Sequence, residues 1–171
     1  MQLVKPSLRY KEAYLDALEE SKSETSDTQL NKPQENQSFE EFVQQLVDNE
    51  VGKNLPEGWV SATMLWLLDN NEIIGRIHIR HELNEYLFKY GGHIGYYIKP
   101  SKRNMGYGKK ILELSLIEAK ELGLTKVLVT CDDDNLGSKK IIEANGGMLE
   151  NKVGKGIGKS QTCRYWIELS N

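Results

Sequence analysis

The sequence predicts a mixed α/β protein in which helices pack on a sheet that contains one parallel crossover. Alternating apolar residues at 60–68 and 73–80 predict two antiparallel strands, which the turn-forming sequence Asp69-Asn70-Asn71 joins. Apolar residues at helical spacing precede and follow this pair. A long helix predicted at 106–122 lies between two predicted strands, which is the arrangement of a parallel crossover.

Capping and breaking residues define the predicted boundaries. Ser38 and Glu41 form a capping box at the start of the second helix, and Gly123 ends the third. Residues 23–37 are polar, contain Pro33 and are predicted to form a loop. The predicted helices span residues 7–21, 38–47, 106–122 and 136–144, and the predicted strands span 2–5, 60–68, 73–80, 93–98, 126–131, 148–153 and 162–169.

The length of 171 residues suits a single domain, residues 1–171, with a substantial core. No apolar run approaches the about 20 residues of a membrane-spanning helix, and the N-terminus lacks an apolar leader, so a cytoplasmic location is expected. Cys131 and Cys163 lie in apolar strand-like runs and are expected to be reduced core thiols. His78 and His81 are expected to point to opposite faces of the sheet, so no metal site is predicted.

The charge is distributed unevenly along the chain. The net charge of −3 gives no reason to expect nucleic acid or an acidic membrane as a partner. Residues 1–50 contain 11 acidic and 5 basic residues, a net charge of −6, whereas the remainder carries +3. The acidic half is expected either to attract a cationic substrate or simply to form a solvated acidic surface.

The most informative segment is a predicted strand, a glycine-bearing turn and the start of a helix, at residues 96–110. A helix N-terminus offers unpaired N–H groups to an anion, and glycine lets the backbone approach a phosphate closely. A Walker loop would need glycine in place of Arg103 and serine or threonine in place of Lys110. The dinucleotide-binding fingerprint would need a third glycine in place of Ile111. The remaining pattern is Arg-x-x-Gly-x-Gly.

This pattern, formed by Arg103, Gly106 and Gly108, resembles the central motif of the GNAT superfamily of N-acetyltransferases. Asn135-x-x-Ser138, which opens a short predicted helix, is similar to the second signature of that superfamily. The resemblance implies a GNAT-like fold: a central, mixed, mostly antiparallel sheet of six to seven strands flanked by about four helices. It also implies that acetyl-CoA is the cosubstrate and that a primary amine is the acetyl acceptor.

The resemblance further implies which residues bind the cofactor. The strand at Tyr96, Tyr97 and Ile98 would pair with the pantetheine arm, and an N–H next to Ile98 would polarise the thioester carbonyl. The turn and the start of the following helix would hold the pyrophosphate, and the predicted helix at 136–144 would contact the cofactor. These residues are Arg103, Asn104, Met105, Gly106, Tyr107, Gly108 and Lys109, followed by Asn135 and Lys139.

The catalytic expectations also follow from the resemblance. His93 lies where several relatives carry a catalytic carboxylate, and a histidine near its ordinary pKa accepts a proton at neutral pH. The alternative role of His93 is a hydrogen bond to nearby backbone. Glu82 and Glu85 are the next candidate bases. Many relatives protonate the departing thiolate with a tyrosine at a position that Ile142 occupies here, so Ser138 or no acid at all would serve.

Two other functions remain open at this point. One is a non-catalytic acyl-CoA-binding or sensor protein on the same fold, which the missing tyrosine favours. The other is a different phosphate-binding enzyme, which the failed motifs disfavour. For the enzyme, the expected acceptor is a small-molecule amine or a peptide amine, small or cationic, and the expected assembly is a monomer or a homodimer.

Overall fold

A computed structural model describes residues 1–22, 24 and 30–169. Seven strands form one sheet in the order β1-β2-β3-β4-β5-β7-β6. The strands are β1 (Gln2–Val4), β2 (Ala62–Asp69), β3 (Glu72–Arg80), β4 (Ile94–Ile98), β5 (Lys126–Asp132), β6 (Met148–Val153) and β7 (Thr162–Glu168). The helices are α1 (Lys11–Ser21), α2 (Phe39–Glu50), α3 (Tyr107–Glu121) and α4 (Leu136–Glu143). Among the described strands, the β4–β5 pair alone is parallel, which confirms the predicted mixed α/β architecture with one crossover.

The structure differs from the predicted elements at the start of α1 and in the connection between β3 and β4. Ser7 caps a 3-10 turn at Leu8–Tyr10, and α1 begins only at Lys11. The predicted loop between β3 and β4 contains a turn of π-helix at Leu87–Gly91. Of the predicted loop 23–37, residues 23 and 25–29 lie outside the described residues. Within the described part of the chain, no helix is both long and apolar enough to cross a membrane.

Two apolar cores lie on the two faces of the sheet, because successive strand residues point to opposite faces. On one face, α3 and α4 cover a core that includes Ile77, Ile79 and Ile142. On the other face, α1 and α2 cover an aromatic core in which the rings of Tyr14 and Trp66 stack at 4.2 Å. The face that α1 and α2 cover also carries the polar residues of β3, which alternate with the isoleucines of that strand.

Strands β4 and β5 touch at one end and then separate. Their ladder consists of one Cα pair, Ile94 with Val129. Beside it, the N–H of His93 donates to the carbonyl oxygen of Leu128 at 2.7 Å, and the N–H of Leu128 donates to His93 Nδ1 at 2.9 Å. Gly92 has φ +65° and approaches the Leu128 carbonyl so closely that a Cβ would lie 2.5 Å from its oxygen. These contacts hold β4 and β5 together at one end. Beyond them a gap opens between the two strands and widens along β4.

The imidazole of His93 makes the stability of this junction sensitive to pH. Burial, with the charge of Arg80 adding to it, lowers the pKa of His93 to about 4, and burial lowers that of His78 to about 3. Between pH 6.5 and about 4 the unfolded chain therefore binds more protons than the folded chain. The contribution of neutral His93 and His78 to the free energy of unfolding is therefore complete above pH 6.5 and is lost as the pH falls.

We expect His93→Phe to lower the free energy of unfolding by about 1–3 kcal/mol, because the buried N–H of Leu128 loses its acceptor. His93→Gln restores an acceptor and should cost less, while removing part of the loss of stability between pH 6.5 and 5. Thermal unfolding of the wild-type protein and of both variants, at pH 7.5 and at pH 5, tests this prediction. Equal melting temperatures for the two variants would contradict the proposed hydrogen bond.

Candidate active site

The gap between β4 and β5 exposes backbone hydrogen-bonding groups. In an antiparallel pair, alternate residues exchange hydrogen bonds with the partner strand. Arg80 N–H donates to His93 O and Lys99 N–H donates to Ile74 O, so the odd-numbered residues of β4, Gly95 and Tyr97, pair with β3. The N–H and C=O groups of Tyr96 and Ile98 therefore face β5, which has already separated from β4. This edge can accept an extended ligand as an additional strand.

The turn between β4 and α3 forms the far end of the gap. Asn104 (φ 60°) and Gly106 (φ 86°) adopt left-handed backbone conformations, and Gly106 caps α3 without a side-chain hydrogen bond. The first N–H groups of a helix have no acceptor within the helix, and they lie at its positive end. The start of α3 at Tyr107 therefore offers several donors to an anion, as the sequence predicts.

Arg103 fixes this turn to β4. Its Nε donates to the carbonyl oxygen of Ile98 at 3.0 Å, and its two terminal nitrogens pair with the Glu24 carboxylate at 2.7 and 2.8 Å. The guanidinium also lies over the ring of Tyr97, at 5.5 Å from the ring centroid. The hydrogen bond with Glu24 holds the pKa of Arg103 above its ordinary value. Arg103 thus orients the end of β4.

A first pocket of about 340 Å³ lies along the gap. It brings together many of the predicted cofactor residues: Tyr96, Tyr97, Ile98, Arg103, Asn104, Gly108 and Asn135, together with Ser138. Asn135 Oδ1 accepts a hydrogen bond from Ser138 N–H and so caps α4. The other predicted residues do not line this pocket: Met105, Gly106 and Lys109 are exposed, the Tyr107 hydroxyl donates to Asp69, and Lys139 pairs with Asp133.

A second pocket of about 680 Å³ lies on the α1–α2 face of the sheet. Its floor is formed by Arg76, His78 and Arg80 of β3 and by Gly95 of β4. The loop residues 57–60, 84, 86 and 87 contribute to its rim, where Asn84 Nδ2 donates to Gly58 O at 2.8 Å. The β3 residues that line this pocket are not among the site residues predicted from the sequence. Its signal was the alternation of polar residues with isoleucine along β3.

The predicted bases lie away from both pockets. His93 is 8% exposed, and because its Nδ1 already accepts a hydrogen bond, the proton of the neutral ring is on Nε2. This placement supports the backbone-bonding role for His93. Glu82 and Glu85 are exposed in the β3–β4 connection and line neither pocket.

Tyr96 lines both pockets, so the pockets meet at this residue of β4. Its hydroxyl is buried and has no hydrogen bond of ordinary geometry to any described residue, with Ser138 as a nearby polar group. Burial raises the pKa of Tyr96 to about 12, so the hydroxyl stays protonated at neutral pH. Ile142, at the position where relatives place a tyrosine, is fully buried in the core beneath α4.

Comparison with known proteins agrees with this geometry. A structure of a GNAT-family acetyltransferase from Bacillus anthracis is 22% identical, with a TM-score of 0.61 over 98% of this chain and 93% of that one. The microcin self-immunity acetyltransferase MccE, solved with acetyl-CoA and AMP, is 20% identical, with a TM-score of 0.66 over 97% and 91%. An acetyltransferase from Salmonella typhimurium that modifies the N-terminal serine of a 50S ribosomal subunit protein is 18% identical, with a TM-score of 0.65 over 97% and 93%.

At these identities the solved structures establish the fold alone. No curated protein sequence matches the chain significantly. The family model of the acetyltransferase (GNAT) domain matches residues 8–148, which is most of the 171 residues. The chain therefore belongs to the GNAT acetyltransferase family and is an acetyltransferase that uses acetyl-CoA.

Proposed function

We propose that this protein transfers the acetyl group of acetyl-CoA to the primary amine of a small acceptor by direct attack. Acetyl-CoA would occupy the first pocket and the acceptor the second. The observation that carries this proposal is the meeting of the two pockets at Tyr96, where the unpaired edge of β4 begins. The continuous sheet from β1 to β6 supports our proposal that residues 1–171 act as one domain.

The described residues fit acetyl-CoA in two ways. The Ile98 N–H and the Tyr96 C=O would bind the amide groups of the pantetheine arm, as an added strand does. The N–H groups at Gly106, Tyr107 and Gly108 would bind the pyrophosphate at the positive end of α3. The Tyr96 N–H would polarise the thioester carbonyl, because it faces the gap where the two pockets meet.

In the proposed reaction, the neutral amine nitrogen attacks the thioester carbonyl carbon. A C–N bond forms, the C–S bond breaks, and the nitrogen gives up its extra proton to water. The guanidinium groups of Arg76 and Arg80 favour the neutral form of a nearby amine, which reduces the need for a strong base. Burial raises the pKa of the Cys131 thiol to about 12, so a cysteine-bound acetyl intermediate has no support.

The Tyr96 hydroxyl would stabilise the departing thiolate. A thiol has an ordinary pKa near ~8.5, whereas that of Tyr96 is about 12, so Tyr96 would donate a hydrogen bond and keep its proton. Ser138, beside Tyr96, is the other hydroxyl available. This arrangement supplies a donor that the buried Ile142 cannot supply. It also weakens the case for the non-catalytic alternative, which was based on the missing tyrosine.

The charge of the second pocket bears on the acceptor. The acidic N-terminal half predicts a cationic acceptor, but the floor of this pocket carries two guanidinium groups. We therefore do not propose a cationic molecule as the acceptor. A peptide amine is a second candidate, which the open rim at Trp59 and Tyr86, 60% and 67% exposed, would admit.

The proposed pyrophosphate site predicts the effect of Gly108→Asp. A carboxylate at the start of α3 should repel the pyrophosphate and weaken acetyl-CoA binding at least about tenfold, or 1.4 kcal/mol. The matched control is Gly108→Ala, whose Cβ meets only the flexible end of Ile141, at 2.5 Å. Calorimetric titration measures both variants. Unchanged affinity in a folded Gly108→Asp protein would remove the proposed cofactor site.

The proposed acceptor pocket predicts the effect of Gly95→Leu. A Cβ at Gly95 meets no atom within 4 Å, so the side chain should fill the second pocket without distorting β4. We expect kcat/KM for the acceptor to fall at least about tenfold, with acetyl-CoA affinity and melting temperature retained. Gly95→Ala should have a smaller effect. Full activity of the leucine variant would place the acceptor elsewhere.

The proposed thiolate contact predicts the effect of Tyr96→Phe. Loss of one hydrogen bond to a charged group should lower kcat about tenfold or more, with acetyl-CoA affinity retained. Ser138→Ala should lower kcat less than about tenfold. Steady-state assays of thiol release compare the two variants. The reverse order, with a loss of several hundredfold for Ser138→Ala alone, would identify Ser138 as the proton donor.

A further inference from the structure

We infer that the His78 imidazole orients the acceptor amine by accepting a hydrogen bond from its N–H, while the lone pair of the amine nitrogen attacks the thioester. This inference rests on the proposed function, because it assigns a further residue to the binding of the acceptor in the second pocket. Family membership leaves the groups that hold the acceptor undefined. The bases expected from the sequence, His93, Glu82 and Glu85, line neither pocket.

The register of β3 against β4 places His78 beside the point where the two pockets meet. His78 and Gly95 are Cα partners, and both line the second pocket. Two residues along, Arg80 N–H donates to His93 O, so His78 and Gly95 also form a hydrogen-bonded pair, with Cα atoms about 5.5 Å apart. Tyr96, which lines both pockets, follows Gly95 directly. His78 is therefore one strand away from the junction of the pockets.

The missing side chain of Gly95 leaves the approach to the thioester open. A Cβ at Gly95 meets no atom within 4 Å. Residues directly opposite each other in an antiparallel pair point to the same face, so the His78 side chain borders this space. The space also adjoins the Tyr96 N–H, the proposed donor to the thioester carbonyl. An amine above Gly95 therefore has the thioester on the β4 side and the imidazole on the β3 side.

The half-buried His78 imidazole is neutral and has a nitrogen available to a ligand. Burial lowers the pKa of His78 to about 3, and the charges of Arg80 and Arg76 add to this effect. Within the part of the chain that the structure describes, the His78 ring forms no hydrogen bond and no ion pair. A neutral imidazole has one donor nitrogen and one acceptor nitrogen. The acceptor nitrogen can therefore bind an N–H of the amine.

The same low pKa assigns orientation to His78 rather than proton transfer. A general base is most effective when its pKa lies near the working pH, and the pKa of His78 is far below neutrality. The proton that the nitrogen loses after attack therefore goes to water, as in the proposed reaction. One N–H of the neutral amine donates to the imidazole, and the lone pair forms the C–N bond. Holding the nitrogen in this direction brings it into attacking geometry.

Other described side chains of the second pocket are less well placed to accept this hydrogen bond. Asn31 and Glu57 are exposed in the connections before and after α2. Asn84 lies in the β3–β4 connection, where its Oδ1 already accepts the Leu87 N–H at 2.9 Å. These three residues lie on connections, whereas His78 lies on a strand whose register is fixed by its pairing with β4. A site on a strand holds its ligand in a more precise position than a site on a loop.

Substitutions of His78 test the hydrogen bond with the best acceptor among ethanolamine, glycinamide and benzylamine. His78→Phe should lower kcat/KM for the amine at least about tenfold, with acetyl-CoA affinity and melting temperature retained. His78→Asn and His78→Gln place an oxygen near Nδ1 or Nε2, and at least one of them should be about threefold more active than His78→Phe. His81→Gln is the matched control, because His81 bonds to Thr63 and lines neither pocket. Wild-type activity of His78→Phe, or no gain in either amide variant, would overturn the inference.

A spectroscopic measurement on the wild-type protein separates this inference from the proposed function and needs neither turnover nor a folded variant. The imidazole ¹⁵N signals are recorded with coenzyme A bound, before and after addition of the same three amines, at about pH 9, where more of each amine is neutral. We expect the acceptor nitrogen of His78 to shift and the signals of His81 to stay in place. If His78 shifts but no thiol is released from acetyl-CoA, the inference stands and the proposed reaction fails. If no amine shifts His78, the inference fails, and thiol release then decides the reaction alone.

Discussion

The separation of β4 from β5 is the constraint on which the rest of this structure depends. Two parallel strands that pair at Ile94 and Val129 would ordinarily continue their ladder, because unpaired backbone groups in a buried position are costly. Here the ladder stops after one pair, and His93 and Gly92 secure its closed end against Leu128. The unpaired edge of β4 is thereby kept straight and available to a ligand, at the expense of hydrogen bonds within the sheet.

Arg103 performs the corresponding task at the open end of the gap. Its three nitrogens all hydrogen-bond within the protein, Nε to the Ile98 carbonyl and the two terminal nitrogens to Glu24. The interaction with Glu24 also ties the segment after α1 to the turn that opens α3. One arginine therefore connects the end of β4, the turn before α3 and the α1–α2 connection, so the shape of the first pocket depends on three parts of the chain.

The fold and the turn of the first pocket could be predicted from the sequence because their signals are local. Arg103, Gly106 and Gly108 lie within six residues, and strand periodicity identifies β4. The sequence left two roles open for His93, a base or a hydrogen bond to backbone, because its hydrogen-bond partner is 35 residues away along the chain. The cationic second pocket depends on the register of β3 against β4, which decides what stands opposite His78. The charge of residues 1–50 gave the opposite expectation, since overall charge does not reveal which groups converge on one face.

The alternation along β3 has a consequence for how such a protein can diverge. Ile77 and Ile79 maintain the core beneath α3, whereas Arg76, His78 and Arg80 face the second pocket from the same strand. Under the proposed function, substitutions at these three positions would change the accepted molecule without altering the packing that maintains the sheet or the turn before α3. Donor recognition and acceptor choice would then depend on separate sets of residues, and lineages that share the first would be free to evolve the second independently.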